Sequence, residues 1–366
     1  MTQDSARAGW RAKLLEIEPY VPGEQIRAPG LIKLNTNENP FPPPPSIAEA
    51  LRGMCEKELS RYPDPDGREL LSTLAQAAEL PEESVFIGHG SDEVLAFAFR
   101  AFFNDAGHPA LPVLFPDITY SFYPVWCSLF GIDYRQVPLD GQFCIRAEDY
   151  RQPNGGIVLA NPNAPTGIGV GTDFLEEILK RNQDSIVVID EAYTAFGGQS
   201  AIPLIRRYDN LFVAQTLSKA CSLAGLRLGM GYGSPDLIRA LNAVKNAFNS
   251  YTVDSIAQRL GLVAAKEGAY FRARAAEVVR IRDRSVEAFR ALGFTVPDSS
   301  ANFFFASHPG IDAGALYRYL KGRDILIRHF DRPRIRDWVR ISVGTQEQMQ
   351  RLYEAVVDFG QQTGKE

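Results

Sequence analysis

The stretch TLSKACSLAGLRLGM (216–230) sets one lysine, Lys219, among small and apolar residues, with Arg227 eight positions on. A lysine becomes a nucleophile when desolvation or a neighbouring cation depresses its pKa, and it then forms Schiff bases with aldehydes. A strand-end lysine reaching for water has the same local appearance, so the stretch alone allows both readings. SIVVIDEAYTAF (185–196) carries Asp190 and Glu191 at the end of an apolar run, with Tyr193 just beyond. An aspartate there is costly unless a lysine, a metal or a protonated ligand nitrogen pairs with it. GHGSDE (88–93) follows the strand-like VFI and opens a helical pattern. Its glycines permit a tight turn, and Ser91 and Asp92 suit a helix start, where free N–H groups bind anions. NPNAPTG (161–167) follows another apolar run and forms a stiff loop that presents polar side chains.

Two other chemistries are disfavoured. GHGSDE lacks the third glycine of a dinucleotide fingerprint, and the Asp-Glu pair has no phosphate loop with GK[ST] to make a nucleotide-hydrolysing site. Pyridoxal phosphate uses all the parts present: a lysine for its aldehyde, an acid for its pyridinium nitrogen and a cup for its phosphate. Lys219, Asp190, and GHGSDE with Ser218 and Arg227 supply them in turn.

The elements that must position these residues alternate. VLFP (113–116), GIVLAN (156–161), SIVVID (185–190), LFVAQT (211–216) and MGYGS (230–234) read as buried strands. Helical patterns lie between them, as in TDFLEEILKRNQ (172–183), where Phe174, Ile178 and Leu179 form a stripe. Strand–helix alternation predicts an α/β fold: a large cofactor-binding domain with a mainly parallel mixed sheet flanked by helices. From 254 to 292 the chain becomes long, charged and helical, with Gly268 marking a break. It leads into a smaller α+β region read as FTVP, NFFFAS, AGALYRYLKGR, ILIRHF, WVRISVG and a last helix EQMQRLYEAVVDFGQQ. The expected division is an N-terminal arm (1–35), a large domain (36–270) and a small C-terminal domain (271–366). The proline run NPFPPPPS (39–46) reads as a stiff connecting loop.

Composition narrows the function classes. The chain has 366 residues, 45% hydrophobic and 23% charged, with a net charge of −5 that offers no footprint for nucleic acid or an anionic membrane. Cys55, Cys127, Cys144 and Cys221 are scattered, and His89, His108, His308 and His329 show no ligand spacing, so no metal site or disulfide framework is expected. Neither a signal-peptide core nor an apolar run of about 20 residues occurs, so a cytoplasmic protein is expected.

With these motifs in order, the sequence resembles the fold-type I, pyridoxal-phosphate-dependent aminotransferases of class I/II, and within them most closely the histidinol-phosphate aminotransferases. The resemblance rests on LNTNENP (34–40), RYPDPDG (61–67), GHGSDE, TYSFY (119–123), NPNAPTG, DEAY (190–193), SKACSLAGLRLG (218–229) and WVRISVG (338–344), and covers nearly the whole chain. It implies that Lys219 bears the Schiff base and shuttles the Cα proton, that Asp190 keeps the ring nitrogen protonated and that Tyr193 bonds the ring 3′-oxygen. Tyr120 would stack on the ring, with Tyr123 the alternative. Gly90, Ser91 and Asp92, with Ser218 and Arg227, would hold the phosphate. Tyr62 would reach the neighbouring subunit's cofactor, which makes the expected assembly a homodimer with shared active sites. Arg340 would bind the substrate carboxylate, and Arg328 and Tyr20 a substrate phosphate; Asn37 completes the expected substrate set.

Two departures stand out. Where the family has asparagine directly before PTG this chain has Ala164, so either Asn163 reaches the ring oxygen or Tyr193 acts with less help. Such a bond, if unfilled, is worth roughly 1–3 kcal/mol. His89 stands where asparagine or arginine is common, and a structural role is expected of it. The implied reaction is transamination of L-histidinol phosphate with 2-oxoglutarate in histidine biosynthesis. An aromatic or broad-range amino acid aminotransferase is the alternative, followed by a threonine-phosphate-type decarboxylase. A cofactor-binding DNA regulator would need more than the roughly 35 residues before LNTNENP.

Overall fold

The computed structural model describes residues 14–26, 28–103 and 111–363. Residues 1–13 and 27 of the expected arm, and His108, lie outside the described residues. Among the described residues twelve strands occur: β1 (Ile32–Lys33), β2 (Val85–Gly88), β3 (Val113–Pro116), β4 (Tyr134–Val137), β5 (Gly156–Ala160), β6 (Val187–Asp190), β7 (Leu211–Thr216), β8 (Gly229–Gly233), β9 (Phe303–Ala306), β10 (Ile325–Leu326), β11 (Arg328–His329) and β12 (Val339–Ser342).

Seven of them form the main sheet in the order β2-β8-β7-β6-β5-β3-β4. Strands β3 to β7 pair in parallel, and β8 is antiparallel to both β7 and β2. This is the mainly parallel mixed sheet expected. Its strands read as unbroken apolar runs because successive side chains face opposite, covered sides. Ile157, Leu159, Val187 and Ile189 enter one apolar cluster, while Val158, Val188 and Phe212 enter another. The helix Thr172–Arg181 buries Leu175, Ile178 and Leu179, so its stripe is centred one residue past Phe174.

The C-terminal region has a three-stranded antiparallel sheet, β11-β12-β9, and a parallel pair of β1 with β10. Here the structure revises two readings and matches a third, the break at Gly268. ILIRHF is two strands: Ile325–Leu326 pairs with β1, and Arg328–His329 turns to pair with β12. FTVP forms only an isolated bridge, Thr295 to Ser307. The long charged stretch is two helices, Ser255–Lys266 and Gly268–Ala291, meeting at Glu267. Within the second helix Phe271 packs in the main core, whereas Ala275, Val278 and Ile281 pack in the C-terminal core with Ile32 and Leu34.

Candidate active site

In the main sheet Ala160, Asp190 and Ala214 are side by side in register, so the loops after β5, β6 and β7 emerge together. Ligands of open α/β sheets sit at such carboxyl ends. A cavity of about 230 Å³ opens there. Tyr20, Asn37, Ser91, Asp92, Tyr120, Asp190, Tyr193, Ser218, Lys219, Arg227, Arg328 and Arg340 line it, drawn from most of the length of the chain.

One end of the cavity is an anion cup. The helix Gly90–Phe102 starts here, with free N–H groups at its first turn. Gly90 has φ +80, and a Cβ on it would lie 2.5 Å from Arg227 Nη2. A Cβ on Gly229 of β8 would collide with the Gly90 carbonyl carbon. Both positions therefore require glycine, and their smallness lets the arginine and the helix start converge. Arg227 Nη1 donates to Ser218 Oγ at 3.4 Å, and Nη2 pairs with Asp92 Oδ2 at 3.1 Å. Tyr120 Oη donates to Asp92 Oδ1 at 2.8 Å. The Asp92 side chain thus anchors both the arginine and the tyrosine, a role its motif did not announce.

The opposite group is Asp190, buried at the end of β6. Its Oδ2 accepts from Tyr123 Oη at 3.0 Å and its Oδ1 from the Ala192 N–H at 3.1 Å. Tyr123 is wholly buried, so the tyrosine on the cavity wall is Tyr120. Burial pushes the Asp190 carboxyl up to about 6, against the lowering by these two bonds. Glu191 turns away and bonds Ser200, Ala201 and Gln215; burial pushes it up to about 7.

The Asp190 shift has a definite sign. A carboxyl with a folded pKa above its unfolded value stabilises the fold fully below that unfolded value and loses the contribution as pH rises through the folded one. Going from 3.8 to about 6 corresponds to about 3 kcal/mol. In the ligand-free protein Asp190→Asn is therefore expected to gain stability over wild type between about pH 4 and pH 7, read from parallel urea melts. A difference that stays flat across that window would contradict a buried, cation-starved Asp190.

Lys219 lines the same cavity. Its Nζ donates to the Thr36 carbonyl at 3.2 Å and sits 5.7 Å from the centre of the Tyr193 ring. Asn37 Nδ2 donates to Tyr193 Oη at 3.0 Å.

The far wall is cationic. Arg328 on β11 and Arg340 on β12 are direct cross-strand partners, so both side chains leave the same face of the sheet. Arg340 donates to the Asn35 carbonyl at 2.8 Å, and its buried Nε has no partner. Arg328 donates to the Val21 carbonyl at 3.4 Å. Among the described residues neither has an ion pair with a carboxylate. Burial lowers the Arg340 pKa, and Arg328 adds to the lowering. Two like charges facing each other repel, and an anion between them relieves both the repulsion and the desolvation. Tyr20 closes this end, stacked on Phe122 with ring centres 4.2 Å apart.

Two expected residues are elsewhere. Asn163 does not line the cavity: its Nδ2 donates to the Ile118 carbonyl and to Thr166 Oγ1, and its Oδ1 accepts from Thr119 Oγ1. The amide is consumed in holding its own loop. Tyr62 is 81% exposed and stacks on Tyr251 at 4.5 Å. His89 is also off the wall, with its backbone N–H taken by Glu93. Among the described residues no group of three or more His, Cys, Asp or Glu is placed to hold a metal ion, and no helix is long and apolar enough to cross a membrane.

The family model for aminotransferase class I and II matches residues 29–356. The histidinol-phosphate aminotransferase of Pseudomonas syringae pv. syringae is 50% identical over 350 residues, covering 96% of this chain and 99% of that protein. The protein of the same name from Acinetobacter baumannii is 47% identical over 350 residues, covering 95% and 96%. The crystal structure of histidinol-phosphate aminotransferase from Clostridium acetobutylicum aligns with TM-score 0.83 at 22% identity, covering 91% of this chain and 100% of that one. L-threonine-O-3-phosphate decarboxylase from Porphyromonas gingivalis aligns with TM-score 0.78 at 20% identity, covering 90% and 99%. These two structures share the fold, and the fold alone does not separate their reactions.

Proposed function

Since the chain belongs to the class I and II aminotransferases, we propose that it transfers the amino group of L-histidinol phosphate to 2-oxoglutarate, giving imidazole-acetol phosphate and glutamate in histidine biosynthesis. The observation that carries the substrate class is the facing pair Arg328 and Arg340, two cations without carboxylate partners among the described residues, on the wall of the cavity that Lys219 also lines. Histidinol phosphate has no carboxylate. The same two arginines therefore take its phosphate in one half-reaction and a carboxylate of glutamate or 2-oxoglutarate in the other, and a guanidinium suits either.

The cofactor is pyridoxal 5′-phosphate, and the donor set fits it: an amine, a buried carboxylate with no cation in contact, and an arginine beside a helix start. When bound, it supplies an electron sink for the carbanion at the substrate Cα. The side chains do the rest. The helix start at Gly90 to Asp92, Ser218 and Arg227 would hold the phosphate. Asp190, whose carboxylate accepts from Tyr123 and Ala192, would hold the proton on the ring nitrogen. Tyr120 would cover one ring face, and Tyr193 would donate to the ring oxygen. Lys219 would be the amine that holds the cofactor and the base and then acid for the Cα proton. Tyr20, seated on Phe122, would contact the substrate phosphate with Arg328.

The assembly we propose is a homodimer in the cytoplasm, with Tyr62 completing the partner's site. Support for the dimer lies in the exposed, stacked pair Tyr62 and Tyr251, with Leu59 and Phe248 exposed nearby in sequence. Exposed apolar groups of this kind mark surfaces that a second chain covers. The three-part division at 35 and 270 is likewise part of this reading, supported by the separate cores that meet along the helix Gly268–Ala291.

A half-reaction panel tests the substrate. With histidinol phosphate, phenylalanine, tyrosine and glutamate as donors, histidinol phosphate is expected to exceed both aromatic amino acids in kcat/KM. The reverse order would make the protein an aromatic aminotransferase. Carbon dioxide release from threonine phosphate would make it a decarboxylase.

A further inference from the structure

Asn37 is buried, with its backbone in the left-handed region at φ +56. Each of its four polar atoms is engaged. Its N–H donates to Ser342 Oγ at 2.9 Å, and Ser342 Oγ donates to its Oδ1 at 2.8 Å. Its carbonyl accepts from Asn302 Nδ2 at 3.0 Å, and its Nδ2 donates to Tyr193 Oη at 3.0 Å. The serine decides which end of the amide faces the tyrosine: with Oδ1 occupied, the NH₂ points at Tyr193.

A hydroxyl that accepts an N–H sends its own proton elsewhere. Tyr193 is flanked by Phe303, edge-on at 5.0 Å, and by Ala164, both apolar. What remains is the cavity, which Tyr193 and Asn37 both line. The NPNAPTG loop gives no second donor there, since Ala164 presents a methyl and the Asn163 amide is spent on its own loop. Ser342 is two residues from Arg340 on β12, the strand that also supplies a cation to the anion site.

Resting on the assignment of Tyr193 to the cofactor's ring oxygen, we propose that Asn37, locked by Ser342, is a positioning residue that keeps the Tyr193 hydroxyl a donor into the cavity. Asn37 thereby acts through Tyr193. The lock also ties the strand of the substrate-binding arginine to the polarity of the cofactor site.

The test reads the visible band of the cofactor-loaded protein against pH. A donor to the ring oxygen withdraws electron density from it and lowers the pH at which the band titrates. Asn37→Gly removes the amide and tolerates the left-handed backbone. Asn37→Gly and Tyr193→Phe are each expected to raise the midpoint by roughly half a unit to one unit. The double variant is expected to rise no further than Tyr193→Phe alone, since one acts through the other. Ser342→Ala keeps the amide but frees it, and a smaller rise is expected. Asn37→Gly is also expected to lower kcat more than it raises KM. A wild-type midpoint in Asn37→Gly beside a raised one in Tyr193→Phe overturns the inference, and so do additive shifts. If Asn37→Gly does not fold, an unmoved midpoint in Ser342→Ala overturns it. An unmoved midpoint in Tyr193→Phe removes the underlying assignment of Tyr193, and the inference with it.

Discussion

Lys219→Ala is expected to abolish the visible band of the cofactor-loaded protein and to lower transamination by roughly 10⁴-fold or more. Both consequences follow from one amine. In the proposed function Lys219 is the nucleophile toward the cofactor's aldehyde and also the group that moves the Cα proton, a task alone worth about 10²–10⁴-fold. The cavity offers no replacement amine: the other basic groups on its wall, Arg227, Arg328 and Arg340, are guanidiniums. Absorbance and single-turnover rates on the purified variant check this. A retained band would show that the link is made elsewhere. The same variant tests the assembly. Mixed with Tyr62→Ala, it is expected to regain one good site per heterodimer, because in the proposed dimer Tyr62 acts across the interface. Mixed with Arg340→Ala it is expected to regain none, because Lys219 and Arg340 line one cavity of one chain. No recovery in the first mixture would argue against the shared site.

Arg340→Ala is expected to lower kcat/KM by roughly 10²–10³-fold for histidinol phosphate and for glutamate alike. Truncating a buried, hydrogen-bonded charge partner costs about 2–5 kcal/mol, and the middle of that range corresponds to this factor. Arg340 is desolvated and has a buried, unpartnered Nε. Arg328 is its cross-strand neighbour, so Arg328→Ala is expected to fall harder on the phosphate donor, whose dianion needs both cations. Steady-state kinetics with the two donors separate these outcomes. A loss confined to glutamate in Arg340→Ala would place the phosphate elsewhere. The arginine is also a liability to the fold: removing a desolvated cation that faces another is expected to leave the ligand-free protein at least as stable as wild type.

Much of the cofactor site was legible in the chain because each part carries a local signature. A lysine among small residues after an apolar run, an aspartate at a strand end, and glycines before a helix are constraints of backbone and burial that a few neighbouring residues express. The parallel sheet was legible for the same reason, since strands covered on both faces read as unbroken apolar runs. Asn163 shows the limit. Its type and place in NPNAPTG suit a ligand contact, yet its hydrogen bonds are taken by Ile118, Thr119 and Thr166, two of which lie more than 40 positions away.

By itself the sequence determined which side chains were available, the order of the elements that carry them, and the kind of cofactor those side chains suit. Only the tertiary structure decided polarity and partnership. Tyr123 became the donor to Asp190, Asp92 became the anchor of Arg227 and Tyr120, and Arg328 came opposite Arg340 because ILIRHF divides between two sheets. Ser342 reached Asn37 across 305 positions and set which way its amide points. The reason is physical: burial and hydrophobic period are properties of a segment, whereas a hydrogen bond belongs to a pair of atoms whose separation is settled only when distant segments dock.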